Sequence, residues 1–316
     1  MGTIENNYSG GNQYDKRVDP TVERGAVTDE IPTRLLGERA SESFVMLPFR
    51  RPEVRKAHFL EAFDRSTEDM AILSFGKCNL ACPYCKRDGQ FKGEGNTIIK
   101  AQEYDWDFVK STIDYSLNKG RRIRLSGGDP CMFPKESQKV AEYVRDTYDQ
   151  KISVAHNGSS PSFLKKLLPN LEYAAIDIKG GSPEELAYRA GTRAMDRSVD
   201  RALECIELCA SNGVLVDVRT CVFGDTSYDE LERIRDRISG VDGVENVFWT
   251  LRKYNEIEDC EFVPGDPDKI RSYAESLAAG ANFGIGFRDK WTGTAFQIWD
   301  KRQVTDHVGT EGKILQ

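Results

Sequence analysis

The feature that most constrains this chain is a group of three cysteines close together in the sequence. Cys78, Cys82 and Cys85 have the spacing CxxxCxxC, and Tyr84 directly precedes the third cysteine. Neighbouring thiolates can hold the irons of a [4Fe–4S] cluster, and a cluster held by protein ligands alone takes four cysteines. Three cysteines therefore leave one iron open to a small molecule. A fold that carries this loop has to direct the three thiols toward one point.

Two other interpretations of the cysteine group fit its surroundings less well. Zinc sites usually combine a CxxC with a second pair of Cys or His residues, and no such pair follows Cys131, the next cysteine along the chain. Cysteines that only pack would lie on one face of a helix or strand, whereas Asn79, Pro83 and Arg87 are typical of a loop. We therefore interpret the group as a cluster-binding loop.

Length and charge exclude several classes of protein. The chain has 316 residues and a formal net charge of −7, which fits one large domain with extensions and gives no bulk attraction for nucleic acid. No apolar run approaches the length that spans a bilayer, and the first residues do not have the pattern of a secretory signal. Eight cysteines, three of them in one loop, fit a reducing compartment better than a disulfide scaffold. We therefore predict a cytoplasmic protein with no nucleic-acid or membrane partner.

The hydrophobic pattern divides the chain into three parts. Residues 1–69 are predicted to form a polar arm followed by an apolar segment that packs on the main domain. Residues 70–290 alternate short apolar strands with helical patterns, which implies a parallel sheet with right-handed crossovers. Six or seven such units predict an α/β fold, a partial (β/α)6 barrel with its ligand site at the carboxyl ends of the strands. Residues 291–316 are left as a C-terminal tail.

Polar motifs follow the second and third predicted strands. The second strand ends in Gly127, Gly128 and Asp129, where two glycines let the backbone approach a ligand closely. A simple tight turn is the alternative. The third strand ends in His156 and Asn157, and His156 is the one histidine of three that falls at the predicted mouth. It is a candidate pocket residue, although a core or surface histidine is the more common case.

Charged residues mark the fourth and fifth strands. Asp177 and Lys179 lie on the same side of an extended strand and need a polar partner, which is either a zwitterionic ligand or each other. In the fifth strand, alternation places Asp217 and Arg219 on the same face. The guanidinium of Arg219 can bind a carboxylate through two hydrogen bonds, and that carboxylate belongs to a cofactor, to a substrate or to Asp217.

The later strands supply candidates for a substrate pocket. Arg252 and Lys253 end the sixth strand, and Arg288 ends a further predicted strand. Cationic side chains at adjacent strand ends suit a compact anionic or sugar-like ligand. Two other cysteines, Cys205 and Cys209, are four residues apart on a predicted helix, and we interpret them as packing residues because they form no compact ligand group.

Together these features resemble the radical S-adenosylmethionine (SAM) superfamily, whose fold is a partial (β/α)6 radical SAM barrel. The resemblance implies that Cys78, Cys82 and Cys85 bind a [4Fe–4S] cluster, and that the amino and carboxylate groups of SAM chelate the open iron. It also implies that Tyr84 packs beside the adenine.

The resemblance further implies a set of SAM contacts. The family carries a GGE-type motif that touches the methionine amino group, and here Asp129 replaces the usual Glu, with a side chain one methylene shorter. The Asp-x-Lys segment resembles the motif by which glycyl-radical activating enzymes contact SAM. The implied contacts are Gly127, Gly128, Asp129, Asn157, Asp177, Lys179 and Arg219.

The reaction implied by the family begins with electron transfer from the reduced cluster to SAM. The products are methionine and a 5′-deoxyadenosyl radical, which abstracts hydrogen from a substrate carbon. A flavodoxin- or ferredoxin-type protein is the expected electron donor. The catalytic candidates on the substrate side are Arg288, Arg252, Lys253 and His156.

The sequence leaves two substrate classes open, a protein glycine and a small molecule. The layout is similar to the activating enzymes, but the cysteine loop continues with Lys86, Arg87 and Asp88 where many activases have Cys-His-Asn. The long segment before the loop and the cationic mouth also favour a small molecule. The chain is similar to the cytosylglucuronate decarboxylases of blasticidin-type nucleoside antibiotic pathways, which implies a sugar or nucleoside carboxylate as substrate.

Overall fold

Parallel strands alternate with helices through the main domain. The computed structural model of the protein describes residues 43–47, 53–56, 69–85, 90–92, 98–191, 198–254, 256–257, 260–289, 296–299, 307–310 and 313–315. The strands are β1 (Phe44–Met46), β2 (Glu53–Lys56), β3 (Asp69–Phe75), β4 (Gln90–Lys92), β5 (Ile98–Lys100), β6 (Gln102–Tyr104), β7 (Arg122–Gly127), β8 (Ile152–His156), β9 (Leu171–Asp177), β10 (Leu215–Val222), β11 (Val247–Lys253), β12 (Gly284–Arg288), β13 (Phe296–Trp299), β14 (His307–Thr310) and β15 (Lys313–Leu315).

The helices cover the intervals between the central strands. They are α1 (Trp106–Asn118), α2 (Pro134–Tyr148), α3 (Pro161–Leu167), α4 (Pro183–Ala190), α5 (Ser198–Ala210), α6 (Tyr228–Ser239) and α7 (Pro267–Gly280). Short 3-10 turns span Pro130–Met132, Leu168–Asn170 and Val244–Asn246.

The central strands form a parallel sheet in chain order. Among the described strands the sheet runs β3-β7-β8-β9-β10-β11-β12, and each neighbouring pair is parallel. Helices separate the consecutive strands of this series, as the alternating pattern predicts. The α/β fold class is therefore confirmed. Because the strands are parallel, their carboxyl ends lie along one edge, and every motif of the sequence analysis falls at that edge or in the strands below it.

Antiparallel strands extend the sheet at both ends. On one side β1 pairs with both β3 and β6, and β2 pairs with β3. On the other side β13, β14 and β15 continue antiparallel from β12. The predicted apolar segment before the cysteine loop thus supplies strands, while the polar arm over residues 1–40 lies outside the described residues. The predicted tail contributes three strands to the sheet.

Helix starts follow local capping rules. The side chain of Asp105 accepts a hydrogen bond of 2.8 Å from the backbone N–H of Phe108 at the start of α1. Ser182 and Ser227 cap α4 and α6 in the same way. Helix α4 was not predicted from the alternation of strands and helices, although the Ser-Pro start and Gly191 at its end are ordinary helix signals.

The core lies between the sheet and its helices. Cys205 and Cys209 are fully buried in this core together with Ile206, so their interpretation as packing residues is confirmed. No helix in the described part of the chain is both long and apolar enough to cross a bilayer.

Candidate functional site

The cysteine loop leaves the carboxyl end of β3. Cys78, Cys82 and Cys85 are each half-buried, and none of the eight cysteines forms a disulfide. The backbone N–H of Cys85 donates a hydrogen bond of 3.0 Å to the carbonyl of Cys82. The fold thus brings the three predicted ligands onto one short loop at the ligand edge of the sheet.

The end of α4 holds this loop in place. The backbone N–H of Ala81 donates a hydrogen bond of 3.2 Å to the carbonyl of Ala190. The next residue, Gly191, has a φ of +65°, and a Cβ there would lie 2.2 Å from the carbonyl oxygen of Ala81. Only glycine allows this close approach without strain. The helix that sequence reasoning missed is therefore part of the site.

Two N–H groups are directed at the sulfur of Cys78. The backbone N–H of Leu80 lies 3.4 Å from Sγ, and the side-chain amide of Asn157 lies 3.6 Å from it. The same amide donates to Asn79 at 2.7 Å, and Asn79 donates to Ser159 at 2.8 Å. This chain of hydrogen bonds joins the cysteine loop to the end of β8.

The thiol chemistry of the loop fits a cluster. Burial raises the pKa of the Cys78 thiol to about 11, with the nearby Asp129 carboxylate adding to the effect. A bound metal deprotonates a coordinating thiol outright, and N–H donors stabilise the resulting thiolate sulfur. Three half-buried cysteines with donors already aimed at one sulfur are the ligand set that a [4Fe–4S] cluster with one open iron needs.

Gly127 and Gly128 pack directly under the loop. Gly127 has a φ of +103°, and a Cβ on Gly128 would lie 2.1 Å from the carbonyl oxygen of Lys77. The N–H of Gly128 donates to the Phe75 carbonyl at 2.6 Å, and the N–H of Asp129 donates to the Lys77 carbonyl at 2.7 Å. These glycines are therefore required by contact with the loop backbone. Their contact with SAM stays a prediction.

Asp129 links the ends of β7 and β8. One oxygen accepts from the N–H of Cys131 at 2.9 Å and lies 2.8 Å from Nδ1 of His156. The other accepts from the N–H of Asn157 at 2.8 Å. Burial opposes ionisation of this carboxyl, but His156 and the N–H donors outweigh it and lower its pKa. The proposed contact of Asp129 with the methionine amino group stays a prediction.

The position of His156 corrects the expectation that it lines a substrate pocket. Its side chain is buried, Nδ1 is bonded to Asp129, and Nε2 accepts a hydrogen bond of 3.1 Å from the N–H of Ser160. The latter bond makes Nδ1 the protonated nitrogen. Both nitrogens are engaged by the protein, so we no longer count His156 among the substrate residues.

Asp177, Lys179 and Tyr84 meet at the ends of β9 and the cysteine loop. Lys179 Nζ lies 3.1 Å from Asp177 Oδ2 and 5.7 Å from the centre of the Tyr84 ring. Burial opposes the charge on Asp177, but Lys179 and Arg219 together lower its pKa to about 2. Asp177 and Lys179 thus form an ion pair with each other, which was one of the two alternatives from the sequence. A role for these residues in SAM binding stays a prediction.

Tyr84 belongs to an aromatic cluster on the other side of the loop. Its ring is packed edge-on against Phe223 at 4.9 Å, Phe262 at 5.7 Å and Tyr254 at 6.0 Å between ring centres. Arg189 lies against the same cluster, 4.3 Å from the Phe223 ring, and pairs with Asp225. Tyr84 is therefore fixed by several elements at once. Its predicted contact with adenine is not tested by these contacts.

Arg219 lies on the inner face of β10, together with Asp217. Its Nε is 3.3 Å from Asp177 Oδ1 and 3.7 Å from Asp217 Oδ2. Its Nη2 also donates to the carbonyl of Ala175 at 3.2 Å. Arg219 therefore lies between the carboxylates of Asp177 and Asp217. Its pairing with the SAM carboxylate stays a prediction.

Arg252 and Arg288 lie side by side at the ends of β11 and β12. They are partners in the register of the two parallel strands, and both are half-buried. Burial, together with the charges of Arg219 and Arg288, lowers the pKa of Arg252 to about 9, and burial also lowers the pKa of Arg288. Lys253 differs, because its Nζ lies 3.4 Å from Asp289 Oδ1. Two of the three predicted cations thus lie close to each other and to the Asp217 carboxylate, and Lys253 pairs with Asp289.

A pocket lies between the cysteine loop and the ends of β8 and β9. It therefore borders both the Cys78–Asn157 contact and the Asp177–Lys179 pair. Its lining residues are Leu80, Asn157, Ser159, Asp177, Ile178, Lys179, Gly180, Leu186, Val199 and Ala202.

Sequence reasoning missed two polar residues of the inner face. Arg124 lies over the ring of Tyr173, with its guanidinium carbon 5.5 Å from the ring centre. Tyr173 lies on the same face of β9 as Asp177. In β7 the alternation of Arg122 and Arg124 with Ile123 and Leu125 was the available signal.

Comparison with known proteins gives one family and several distant relatives. The sequence model of the Radical SAM superfamily matches residues 72–238. A putative glycyl-radical enzyme activating enzyme of Methanocaldococcus jannaschii is 24% identical over 163 residues, 51% of this chain and 64% of that protein. A 7-carboxy-7-deazaguanine synthase of Methanothermobacter thermautotrophicus is 24% identical over 53% of this chain and 66% of that protein. A GTP 3′,8-cyclase of Campylobacter fetus is 25% identical over 56% and 53%.

These matches cover part of each relative. The chain spans less than two thirds of the length of each of the three. Among solved structures, a radical SAM methyltransferase from Sphaerobacter thermophilus is similar with a TM-score of 0.51 and 15% identity, over 72% of this chain and 67% of that one. A similarity at this identity concerns the fold alone.

Proposed function

Because this chain belongs to the radical SAM superfamily, we propose that it generates a 5′-deoxyadenosyl radical and uses it to abstract hydrogen from a small anionic substrate. Its cofactors are a [4Fe–4S] cluster and SAM. The bound cofactors supply the electron and the radical. The chain's own residues hold the cluster, orient SAM and bind the substrate beside it.

The proposed roles follow from position at the ligand edge. Cys78, Cys82 and Cys85 hold the cluster, with Asn157 and Leu80 donating to the Cys78 sulfur. Asp177 and Lys179 bind the charged groups of SAM. Their ion pair with each other is then replaced by contacts with SAM. Tyr84 packs beside the adenine. The backbone of Gly127–Asp129 closes the base of the site.

The observation that favours a small anionic substrate is the pair Arg252 and Arg288. Two half-buried guanidiniums lie side by side in the register of β11 and β12, and burial lowers the pKa of each, while the Asp217 carboxylate acts in the opposite direction on both. An anionic ligand would stabilise both charges further, and a carboxylate matches the geometry of a guanidinium. Lys253 contributes less, because Asp289 already neutralises it.

The specific substrate that we propose is a sugar or nucleoside carboxylate, such as cytosylglucuronate, which loses CO₂ after hydrogen abstraction beside the carboxylate. Such a reaction places the protein in antibiotic biosynthesis as a decarboxylase and lyase. A flavodoxin- or ferredoxin-type protein supplies the electron in a reducing cytoplasm. The second candidate is activation of a protein glycine, which the relative in M. jannaschii favours by its name.

A test of the radical chemistry uses protein reconstituted with iron and sulfide without oxygen. We expect about four irons per chain and reductive cleavage of SAM to 5′-deoxyadenosine. The variant with Cys78, Cys82 and Cys85 changed to Ala should lose both, whereas Cys209→Ala should keep its iron. Full iron content in the triple variant would overturn the assignment of the ligands.

A second assay separates the two substrate classes. The enzyme is incubated with cytosylglucuronate, and separately with a glycyl-radical enzyme, and CO₂ and the glycyl radical signal are measured. We expect CO₂ release that Arg288→Met abolishes while substrate-independent SAM cleavage persists, with the exposed Arg271→Met as the matched control. A glycyl radical without small-molecule turnover would establish the activase instead.

A further inference from the structure

The carboxylate of Asp129 is enclosed by the protein. Its side chain is 2% exposed and lies among donors from the ends of β7 and β8. Oδ1 accepts from the N–H of Cys131 at 2.9 Å and lies 2.8 Å from Nδ1 of His156, and Oδ2 accepts from the N–H of Asn157 at 2.8 Å. A further hydrogen bond joins the thiol of Cys131 to the same carboxylate. A carboxylate has about four acceptor positions, so these donors occupy all of them.

A buried carboxylate with four donors has no position left for a ligand. The family resemblance predicts that Asp129 touches the amino group of methionine. Such a contact would displace one of the protein's own donors, which would then be buried without an acceptor, and an unsatisfied buried donor costs free energy. The contacts of this side chain therefore indicate a role inside the protein.

Asp129 is bonded to both sides of the contact at the Cys78 sulfur. On the donor side, its carboxylate binds the backbone N–H of Asn157, and the side-chain carbonyl of Asn157 accepts from the N–H of Ser159 at 3.0 Å. These bonds fix Asn157 with its amide 3.6 Å from Cys78 Sγ. On the sulfur side, the backbone N–H of Asp129 donates to the carbonyl of Lys77 at 2.7 Å, directly before Cys78. One residue thus fixes both the N–H donor and the backbone that carries the sulfur.

The length of the aspartate side chain is part of this arrangement. Oδ1 of Asp129 binds the N–H two residues further along the chain, at the start of the turn Pro130–Met132. Short Asp and Asn side chains form such local bonds. The Glu that the family usually has at this position is one methylene longer, which would carry its carboxylate past this N–H. The residue found here therefore suits a bond within the protein.

We propose that Asp129 is a positioning residue, whose carboxylate orients the Asn157 amide toward the Cys78 sulfur and makes no contact with SAM. The inference rests on the cluster of the proposed function. N–H donors to a ligating sulfur stabilise the more negative, reduced state of an iron–sulfur cluster. A change that misplaces the Asn157 amide should therefore make the reduction potential more negative and leave the affinity for SAM in place.

The test begins with Asp129→Glu, which keeps the charge beside the cluster and changes the reach of the carboxylate. In protein reconstituted without oxygen, we expect full iron content and a more negative cluster potential in a redox titration followed by electron paramagnetic resonance. The Kd for SAM, measured by calorimetry, should stay within about threefold of wild type. Asp266→Glu is the matched control, because Asp266 also binds the N–H two residues on, at the exposed start of α7. It should leave both quantities unchanged.

A double variant tests whether Asp129 acts through Asn157. Asp129→Glu combined with Asn157→Ala should have the same potential as Asn157→Ala alone, because the amide that the carboxylate orients is then absent. Shifts that add in full would show that Asp129 acts on the cluster independently. That result, or an unchanged potential in Asp129→Glu, would overturn the proposal.

The affinity for SAM separates positioning from direct contact. Asp129→Asn keeps the side-chain volume and removes the charge that would pair with an ammonium group, so it decides the question even if Asp129→Glu fails to assemble its cluster. Loss of a charge-assisted contact would weaken SAM binding about tenfold or more, and a loss of that size in Asp129→Asn would overturn the proposal. These measurements use no substrate and do not depend on its class. A wild-type chain that takes up no cluster would overturn the proposed function as well.

Discussion

At the level of single residues, the sulfur of Cys78 is more closely prepared for a metal than its sequence motif indicates. Two N–H groups reach it, and one of them belongs to Asn157 on a different strand. Hydrogen bonds to ligating sulfur are one of the factors that set the reduction potential of an iron–sulfur cluster. We therefore expect Asn157 to influence the cluster without binding iron.

A first prediction concerns this amide. Asn157→Ala should keep four irons per chain but shift the cluster to a more negative reduction potential, because the thiolate loses a donor and the reduced state loses stabilisation. A redox titration followed by electron paramagnetic resonance measures the shift. Ser159→Ala is the control, since it removes the hydrogen bond from Asn79 to Ser159 but leaves both donors to Cys78 and the contact between Asn157 and Asn79 in place. An unchanged potential in Asn157→Ala would refute the role.

A second prediction concerns Glu230, a buried carboxyl on α6. Burial, reinforced by Glu185 and Asp225, raises its pKa from 4.5 to about 7. Between these two values the folded state binds the proton more tightly than the unfolded state, so stability falls as the pH rises from about 4.5 to 7. Glu230→Gln should remove this slope and be more stable at pH 8 by at least about 1 kcal/mol. Urea denaturation at several pH values from 4.5 to 8 measures the free energy of unfolding of both proteins. The same dependence of this free energy on pH in both would contradict the prediction.

At the level of elements, α4 and the cysteine loop depend on each other through backbone contact. Gly191 combines a left-handed φ with a close approach to Ala81, and Ala190 accepts the loop's hydrogen bond. The helix thereby supplies one wall of the site although it carries none of the predicted ligands.

A third prediction tests this contact. Gly191→Ala should lower the iron content by more than half, because its Cβ would displace the loop backbone at 2.2 Å. Gly213→Ala is a matched control, since Gly213 has a similar φ of +73° with nothing within 4 Å. Both variants should lose about 1–2 kcal/mol of unfolding free energy from the left-handed backbone. Equal iron content in the two would show that the contact is dispensable.

Most of the central elements could be predicted from the sequence, and α4 shows why some could not. The parallel strands are apolar and most of the helices have clear periodicity, so the alternation of strand and helix over residues 70–290 could be predicted. Helix α4 has ordinary start and end signals, but it is short, and its role in the site lies in backbone contacts that a sequence pattern does not show.

The candidate site, too, could be predicted only in part. The motif positions could be found because chemistry restricts which residues occur there. The hydrogen-bond and ion-pair partners of these residues could not be predicted. Both ring nitrogens of His156 are engaged by Asp129 and Ser160, and Lys253 pairs with Asp289. Arg124 and Tyr173 were missed because only the sheet brings β7 and β9 to the two sides of β8.

At the level of the whole molecule, the last three strands protect the edge of the parallel sheet. β13 pairs with β12 over residues 285–288, and β12 carries Arg288. The residues of β12 before Arg288 are fully buried in the sheet. Without β13, this strand would present unpaired backbone groups at an apolar edge, which is a common route to aggregation.

A fourth prediction tests that protection. Deletion of residues 291–316 should lower the melting temperature and produce oligomers on size-exclusion chromatography, together with loss of the Arg288-dependent turnover. Deletion of residues 304–316 alone leaves β13 on β12 and should have a smaller effect. A monomer of unchanged melting temperature after the longer deletion would contradict the assignment.

The hydrogen bonds that hold the cysteine loop have a consequence for how the protein matures in the cell. Ala190, Ser159 and Asn157 fix the loop through bonds that involve no metal. Small zinc domains, by contrast, fold only as they take up their ion. We therefore expect the polypeptide of this protein to fold before the cluster is inserted. Chains made during iron starvation would then stay folded and could receive a cluster later without new synthesis.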